Sequence, residues 1–220
     1  MKVLIVHAHE ESRSFCAALK DTAKLHFESQ GHEVMVSDLY AMNFNPVGSK
    51  NDFTMVSNPD YFKYQAEQVN AYQNHLFSTE LQAEMDKLLA ADLIIFNFPL
   101  WWFSLPAILK GWVDRVFAMG FAYGGGKGVY DNGVFKDKKA MLCMTTGGPE
   151  IAYGPTGKNG ELDKILFHIH HGMFYFTGMT VLEPFIGYSP ARITPEERVA
   201  VLADYTKALD MISTRKVIFS

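Results

Sequence analysis

Three loops of this chain gather residue types that can bind a charged ligand or a flat ring. His7-Ala8-His9-Glu10-Glu11-Ser12-Arg13-Ser14-Phe15-Cys16 brings imidazole and hydroxyl donors to the start of a helix. Free backbone N–H groups and the positive dipole end there make a ready site for a ligand phosphate. An ordinary helix cap beside a solvent histidine uses the same residues. No Gly-x-Gly-x-x-Gly and no Walker-type lysine accompanies them, which disfavours a standard dinucleotide turn or NTPase loop.

The second loop is Leu100-Trp101-Trp102-Phe103-Ser104-Leu105 between Pro99 and Pro106. The prolines limit backbone freedom, so the rings are held with little further ordering cost, as contact with a planar heterocycle requires. Packing beneath the next helix is the alternative, for which Trp112 and Phe117 are better placed. The third loop is Thr145-Thr146-Gly147-Gly148, with Tyr153 close behind. Two missing side chains let a ring approach the backbone, whose N–H groups then face a developing negative charge. A simple Gly-Gly-Pro turn would read the same way.

Other clusters are weaker. Gly124-Gly125-Gly126-Lys127-Gly128 follows a helix and not a strand, so it reads as a lid or linker. His168, His170 and His171 lack an acid at obvious spacing, and no metal site is assigned. Cys143 falls within an apolar run and should be inert. Cys16 stands near a helix start, where a thiol can be activated, although neither cysteine has a persuasive local base.

The elements that must position these loops follow from periodicity. Val3 to Val6, Glu33 to Leu39, Asp92 to Phe98, Lys139 to Met144 and Thr180 to Ile186 read as five short strands. Helices are expected from Ser12–Ser14 to Gly31, from a Thr79/Gln82 capping box, after Pro106, over Glu161 to Thr177, and from Thr194-Pro195-Glu196-Glu197. The alternation predicts one α/β domain over residues 1–220, a doubly wound parallel five-stranded sheet with helices on both faces. Ligands of such sheets bind beyond the carboxyl ends of the strands, where all three loops lie. Residues 40–77 lack sustained periodicity yet carry Phe44, Phe53, Tyr61, Phe62, Tyr64 and Tyr72. This aromatic-rich excursion is expected to wrap a second subunit, with packing across its own domain the alternative.

Composition removes several classes. Hydrophobic residues at 48% and charged residues at 20% are globular values that exclude disorder. A net charge of -4 provides no basic field for a nucleic-acid partner. No stretch reaches the ~18 apolar residues of a membrane span, and Met1-Lys2-Val3-Leu4-Ile5 does not read as a signal peptide. A cytoplasmic protein without membrane insertion is expected.

Together the loops resemble the NAD(P)H:quinone oxidoreductase (DT-diaphorase) family of flavodoxin-like flavoproteins, in particular its shorter bacterial members. The matching text runs through nearly the whole chain. It comprises Ser37-Asp38-Leu39-Tyr40-Ala41-Met42-Asn43-Phe44-Asn45-Pro46, Phe98-Pro99-Leu100 with Trp102-Phe103, and Pro106-Ala107-Ile108-Leu109-Lys110-Gly111-Trp112 with Arg115-Val116-Phe117. Phe121-Ala122-Tyr123, Thr145 to Gly148 and Val181-Leu182-Glu183-Pro184 complete it.

The resemblance implies a flavodoxin-like twisted sheet, bound FAD in preference to FMN, and a homodimer with a pocket shared between subunits. It implies two-electron reduction of quinones or similar aromatic acceptors by NADH or NADPH, in a ping-pong cycle through flavin N5. His9, Ser14 and Phe15 would hold the pyrophosphate and ribityl part, with Cys16 at the position of a flavin-site asparagine. Leu100, Trp101, Trp102 and Phe103 would border the isoalloxazine opposite Thr145, Thr146, Gly147 and Gly148. Arg198 matches an adenine-side arginine. Gly147, Gly148 and Tyr153 would stabilise charge at the ring's N1/O2 side, and Tyr123, Phe176 and Asn159 would meet the substrate. The chain departs from the animal pattern at Gly125, where a tyrosine is expected, and at Asn159, where a histidine associated with proton relay is expected. An asparagine cannot change charge near neutral pH. The resemblance leaves one rival, a flavin-bound regulatory subunit of a potassium-efflux transporter with incidental reductase activity. An FMN electron carrier fits the long excursion poorly.

Overall fold

The structure, a computed structural model, describes residues 1–220. The uninterrupted apolar run Val3 to Val6 forms the centre of β1 (Lys2–His7), fully buried on both faces. It pairs in parallel with β2 (Glu33–Asp38) on one side and β3 (Leu93–Pro99) on the other, setting His7 opposite Asn97. Strand β4 (Lys139–Thr146) continues the parallel sheet beyond β3.

Alternation along the strands divides the core. Val3, Ile5, Leu93, Ile95, Met141 and Cys143 pack with Leu19, Ala23 and Phe27 of α1 (Phe15–Ser29) and Tyr205 and Leu209 of α6 (Pro195–Asp210). Leu4, Val6, Ile94, Phe96 and Leu142 pack with α3 (Thr79–Ala90), α4 (Ala107–Val116) and α5 (Leu162–Ile169) on the opposite face. The doubly wound α/β arrangement is therefore present, with strand order β2-β1-β3-β4 continuing outward.

The sheet has seven strands where five are expected. The expected fifth strand breaks at Glu183-Pro184 into β5 (Thr180–Leu182) and β6 (Phe185–Tyr188), both lying along β4. Proline has no N–H to donate to a ladder, so the break falls there. The last strand, β7 (Val217–Phe219), pairs antiparallel with β5; three residues are too few to show a period. Helix α3 is capped by Ser78, whose hydroxyl accepts from Leu81 N–H at 3.4 Å, and Thr79 is its first helical residue. The segment 161–177 is not one α-helix. After α5 it widens into a π turn over His170–Phe174 and tightens into a 3-10 turn over Tyr175–Thr177, ending at Gly178 with φ +97°. The three histidines consequently diverge: His168 meets Ser104, His170 is buried, and His171 stacks on Phe167.

Residues 40–77 contain a helix, α2 (Tyr64–Asn74), and set Phe44, Phe53 and Phe77 into the core of their own domain, while Tyr61 and Tyr72 stay exposed. The buried face of α2 is Glu67, Gln68 and Ala71, which a search for apolar periodicity passes over. Glu67 accepts from Ser57 N–H at 2.7 Å, Ser57 Oγ at 2.8 Å and Asn58 N–H at 3.1 Å. Arg115 of α4 pins the excursion from beneath, donating to Asp52 at 3.0 Å and to the Asn45 carbonyl at 2.6 Å. Gly111 permits this approach, because a Cβ there would lie 2.2 Å from the Pro46 carbonyl oxygen. The glycine-rich loop folds as a turn, with Lys127 N–H donating to Gly124 O at 2.9 Å and its ammonium over the Tyr72 ring. No helix is long and apolar enough to cross a membrane.

Candidate functional site

At the carboxyl end of β1 the chain leaves the sheet through His9 and enters α1 at Ser14. Ser14 Oγ accepts from Ala17 N–H at 3.1 Å, which caps the helix and leaves the Phe15 and Cys16 N–H groups free at its mouth. His9 Nδ1 accepts from Glu11 N–H at 3.0 Å, so the neutral ring carries its proton on Nε2 as an outward donor. These residues line a cavity of about 660 Å³ with Thr145, Pro190, Pro195, Arg198 and Leu202. Arg198 is held by the Pro190 and Ile193 carbonyls, both at 3.0 Å.

Cys16 lines the same cavity but is not an activated thiol. It is 2% exposed, its Sγ–H donates to Asn97 Oδ1 at 3.5 Å, and burial pushes its pKa far above the ordinary value. Desolvation of the thiolate exceeds any help from the helix end. Cys143 is inert for the same reason, pushed up to about 12 by burial.

The aromatic loop is a two-residue turn. Trp101 N–H donates to Ser104 O and Ser104 N–H returns to Trp101 O, while Trp102 and Phe103 take φ +50° and +60°. Positive φ at both central positions defines a type I′ turn, which glycine and asparagine normally occupy. Two bulky rings held there cost of order 1–3 kcal/mol each. Trp102 is 95% exposed, so its own packing does not offset that strain. The Trp102 and Phe103 N–H groups have no partner within the chain. Trp101 lies toward the first loop, its ring centroid 6.4 Å from that of His9.

Leu100 N–H donates to Thr145 O at 2.8 Å and ties this loop to the glycine loop. Behind the glycines, Ser189 N–H donates to Thr146 O at 2.9 Å and Ser189 Oγ to Gly147 O at 3.4 Å. In a trans peptide the carbonyl and the following N–H point oppositely, so the Gly147 and Gly148 N–H groups face away from Ser189. Thr146 Oγ–H donates to Gly148 O at 2.8 Å and braces the turn. A Cβ on Gly148 would lie 3.1 Å from Asn159 Nδ2 and 3.2 Å from the Tyr153 ring, whereas one on Gly147 would meet nothing within 4 Å. The bare face of Gly148, the Tyr153 ring and the Asn159 amide thus form one cluster, with Tyr188 behind Tyr153 at a ring separation of 6.1 Å.

Tyr123 and Phe176 are brought together, at a ring separation of 5.8 Å, in a different cavity of about 310 Å³. It is lined by Lys110, Asp114, His168 and Met173, and by none of Leu100–Phe103, Tyr153 or Asn159. The expected substrate residues therefore fall into two groups within one chain. Sequence reasoning missed the link between them: Ser104 Oγ lies 3.0 Å from His168 Nε2, and His168 Nδ1–H donates to Ile165 O at 2.9 Å. It also missed Ser189 and Tyr188, which no local pattern distinguishes.

Bare glycine N–H groups, an exposed ring on a strained turn and free amides at a helix mouth together suit a flat, phosphate-bearing cofactor. Comparison with known proteins points the same way. A family model described as having the flavodoxin-like fold matches residues 1–209. The ribosyldihydronicotinamide dehydrogenase [quinone] of Pongo abelii is 45% identical over 212 residues, covering 96% of this chain and 91% of that protein. The NAD(P)H dehydrogenase [quinone] 1 of Rattus norvegicus is also 45% identical, covering 96% and 77%. A crystal structure of a Klebsiella pneumoniae protein superposes with a TM-score of 0.95 at 41% identity, covering 99% of this chain and 87% of that one.

Proposed function

The chain belongs to the NAD(P)H:quinone oxidoreductase family with the flavodoxin-like fold, and from that premise we propose that it reduces quinones by two electrons with NAD(P)H. The observation that carries the reading is the strained Trp102–Phe103 turn tied to the outward-facing Gly147 and Gly148 amides. A protein keeps two aromatic side chains in the left-handed region at a strand end when the geometry is used.

FAD is the proposed cofactor, and it would supply two-electron acceptance and donation, which no side chain here can do. His9, Ser14, Phe15 and the Cys16 amide would hold its phosphates. Leu100, Trp101, Trp102 and Phe103 would border the flavin ring, with Thr145 and Thr146 at the cavity wall. Room beyond the helix mouth favours FAD over FMN: the cavity of about 660 Å³ extends to Pro190, Pro195, Arg198 and Leu202. FMN has no adenylate to fill it. The Gly147 and Gly148 amides and Tyr153 would hold negative charge at the ring's polar edge by preorganised donors.

NAD(P)H and the quinone would use one slot in turn. Tyr123 and Phe176 would complete that slot from a second copy of the chain, since in one copy they stand apart from Tyr153 and Asn159. A homodimer acting in the cytoplasm is the corresponding assembly. No observation favours a transporter subunit over this reading.

The test is an anaerobic visible spectrum of the purified protein, followed by NAD(P)H and then menadione. Expected is a yellow protein that bleaches and regains its oxidised spectrum. Bound flavin that NAD(P)H scarcely bleaches would overturn the reductase reading. Absence of flavin even after incubation with FAD would overturn the cofactor.

A further inference from the structure

We propose that the Ser104–His168 pair delivers the proton that quinone reduction consumes. The inference rests on the reductase reading and adds to it a role for two residues outside the cofactor cradle. Reduction of a quinone by NAD(P)H takes up one proton in addition to the electron pair: NAD(P)H, H⁺ and quinone give NAD(P)⁺ and hydroquinone. Beside Gly148 the chain offers Asn159, which has no titratable proton, and Tyr153, whose ring neighbour is another tyrosine, Tyr188. The titratable groups near Tyr188 are Glu150, Tyr153 and Asp163, with no imidazole among them.

His168 is differently placed. Its Nδ1–H donates to the Ile165 carbonyl at 2.9 Å, which fixes the tautomer and leaves Nε2 to accept from the Ser104 hydroxyl at 3.0 Å. When Nε2 is protonated the bond reverses: Nε2–H donates to Oγ, and the serine proton is free to turn outward. Ser104 closes the turn immediately after Phe103, and His168 lines the cavity that holds Tyr123 and Phe176. The pair therefore joins the turn that would border the flavin to the wall of the Tyr123–Phe176 cavity of the same chain. His168 is itself exposed and can be recharged from solvent. In the step, the quinone oxygen forms an O–H bond as the Ser104 Oγ–H bond breaks. Ser104 regains its hydrogen as the His168 Nε2–H bond breaks.

The charged and titratable groups sharing the cavity are Lys110 and Asp114 of α4, paired at 2.5 Å, and Tyr123. On its own helical segment His168 is near His170, which is buried and uncharged at neutral pH. The Lys110–Asp114 pair carries no net charge to the cavity, and His168 is the imidazole that lines it.

The experiment uses FAD-loaded wild type, His168→Gln and Ser104→Ala, with menadione as the probe and stopped-flow detection at pH 5.5 to 8.5. Each variant is expected to slow the menadione step about a hundredfold more than the NAD(P)H step, the low end of general acid catalysis. His168→Gln should also flatten the pH profile, and added imidazole should restore part of its rate. A second readout needs no cofactor: ¹⁵N-histidine NMR of the apoprotein should show the His168 Nε2 resonance shifted in Ser104→Ala. An unshifted resonance, an unchanged pH profile in His168→Gln, or equal slowing of both steps would overturn the pair's role. Failure of the wild type to reduce menadione at any pH would instead overturn the reductase reading.

Discussion

Replacing Trp102 with asparagine should stabilise the cofactor-free protein while weakening its hold on flavin. An ordinary L-residue in the left-handed region costs about 1–2 kcal/mol, and asparagine, a preferred residue of type I′ turns, escapes much of it. The opposing loss is burial of the ring. Trp102 is 95% exposed, so of roughly 250 Å² of tryptophan surface only about 12 Å² is covered, worth about 0.3 kcal/mol. The net gain is about 0.7–1 kcal/mol, which corresponds to a rise of about 2–4 °C in the Tm of a chain of this size. Differential scanning calorimetry of the apoprotein reads the first effect. Titration with FAD, followed by flavin fluorescence, reads the second, with affinity expected to fall at least tenfold. An apoprotein Tm lowered by more than 1 °C would refute the reasoning, because the ring would then be contributing packing in excess of its strain. Higher Tm with unaltered FAD affinity would show that the turn is strained but not used by the cofactor.

Gly148→Ala should lower menadione turnover at least tenfold, since its Cβ would press on Asn159 and the Tyr153 ring at 3.1 and 3.2 Å; Gly147→Ala, with open space, should leave Tm unchanged. Equal Tm losses in the two variants by thermal scan would contradict this. Asp52→Ala should cost about 3–5 kcal/mol in urea unfolding, because it leaves the buried Arg115 charge with only the half-exposed Glu80 carboxylate at 3.3 Å; a loss below 1 kcal/mol would mean the pair does not anchor the excursion. His170 is held down at about 4 by burial, so the unfolded chain takes up its proton first as pH falls. Its contribution is complete above the ordinary histidine value and is lost between about pH 6.5 and 4, roughly 2 kcal/mol by pH 5. His170→Leu should therefore narrow the difference in urea-unfolding stability between pH 7.5 and pH 5 by about that amount, and an unchanged difference would place the acid sensitivity elsewhere.

Much of the fold was legible because its signals are local. Val3–Val6 and Leu93–Phe96 are apolar runs that only a strand buried on both faces can use, and Thr194-Pro195-Glu196-Glu197 specifies a helix start within four residues. The loops leaving β1, β3 and β4 must then converge, because parallel strands all end on one edge. What the chain order does not contain is the set of partners across that edge. Helix α2 hides its buried face in Glu67 and Gln68, whose burial is tolerable only because Ser57, Asn58 and Met119 supply donors from elsewhere. Cys16 stands in a sequence context that favours activation, and only the packing around Asn97 shows it to be a buried thiol. Tyr123 and Asn159 both read as substrate residues, yet they lie in separate clusters, and the meeting of Ser104 with His168 depends on how α5 docks beside the aromatic turn. Periodicity and capping are energies between neighbours in the chain. Burial, strain and proton contacts are energies between neighbours in space, and these the tertiary structure decided.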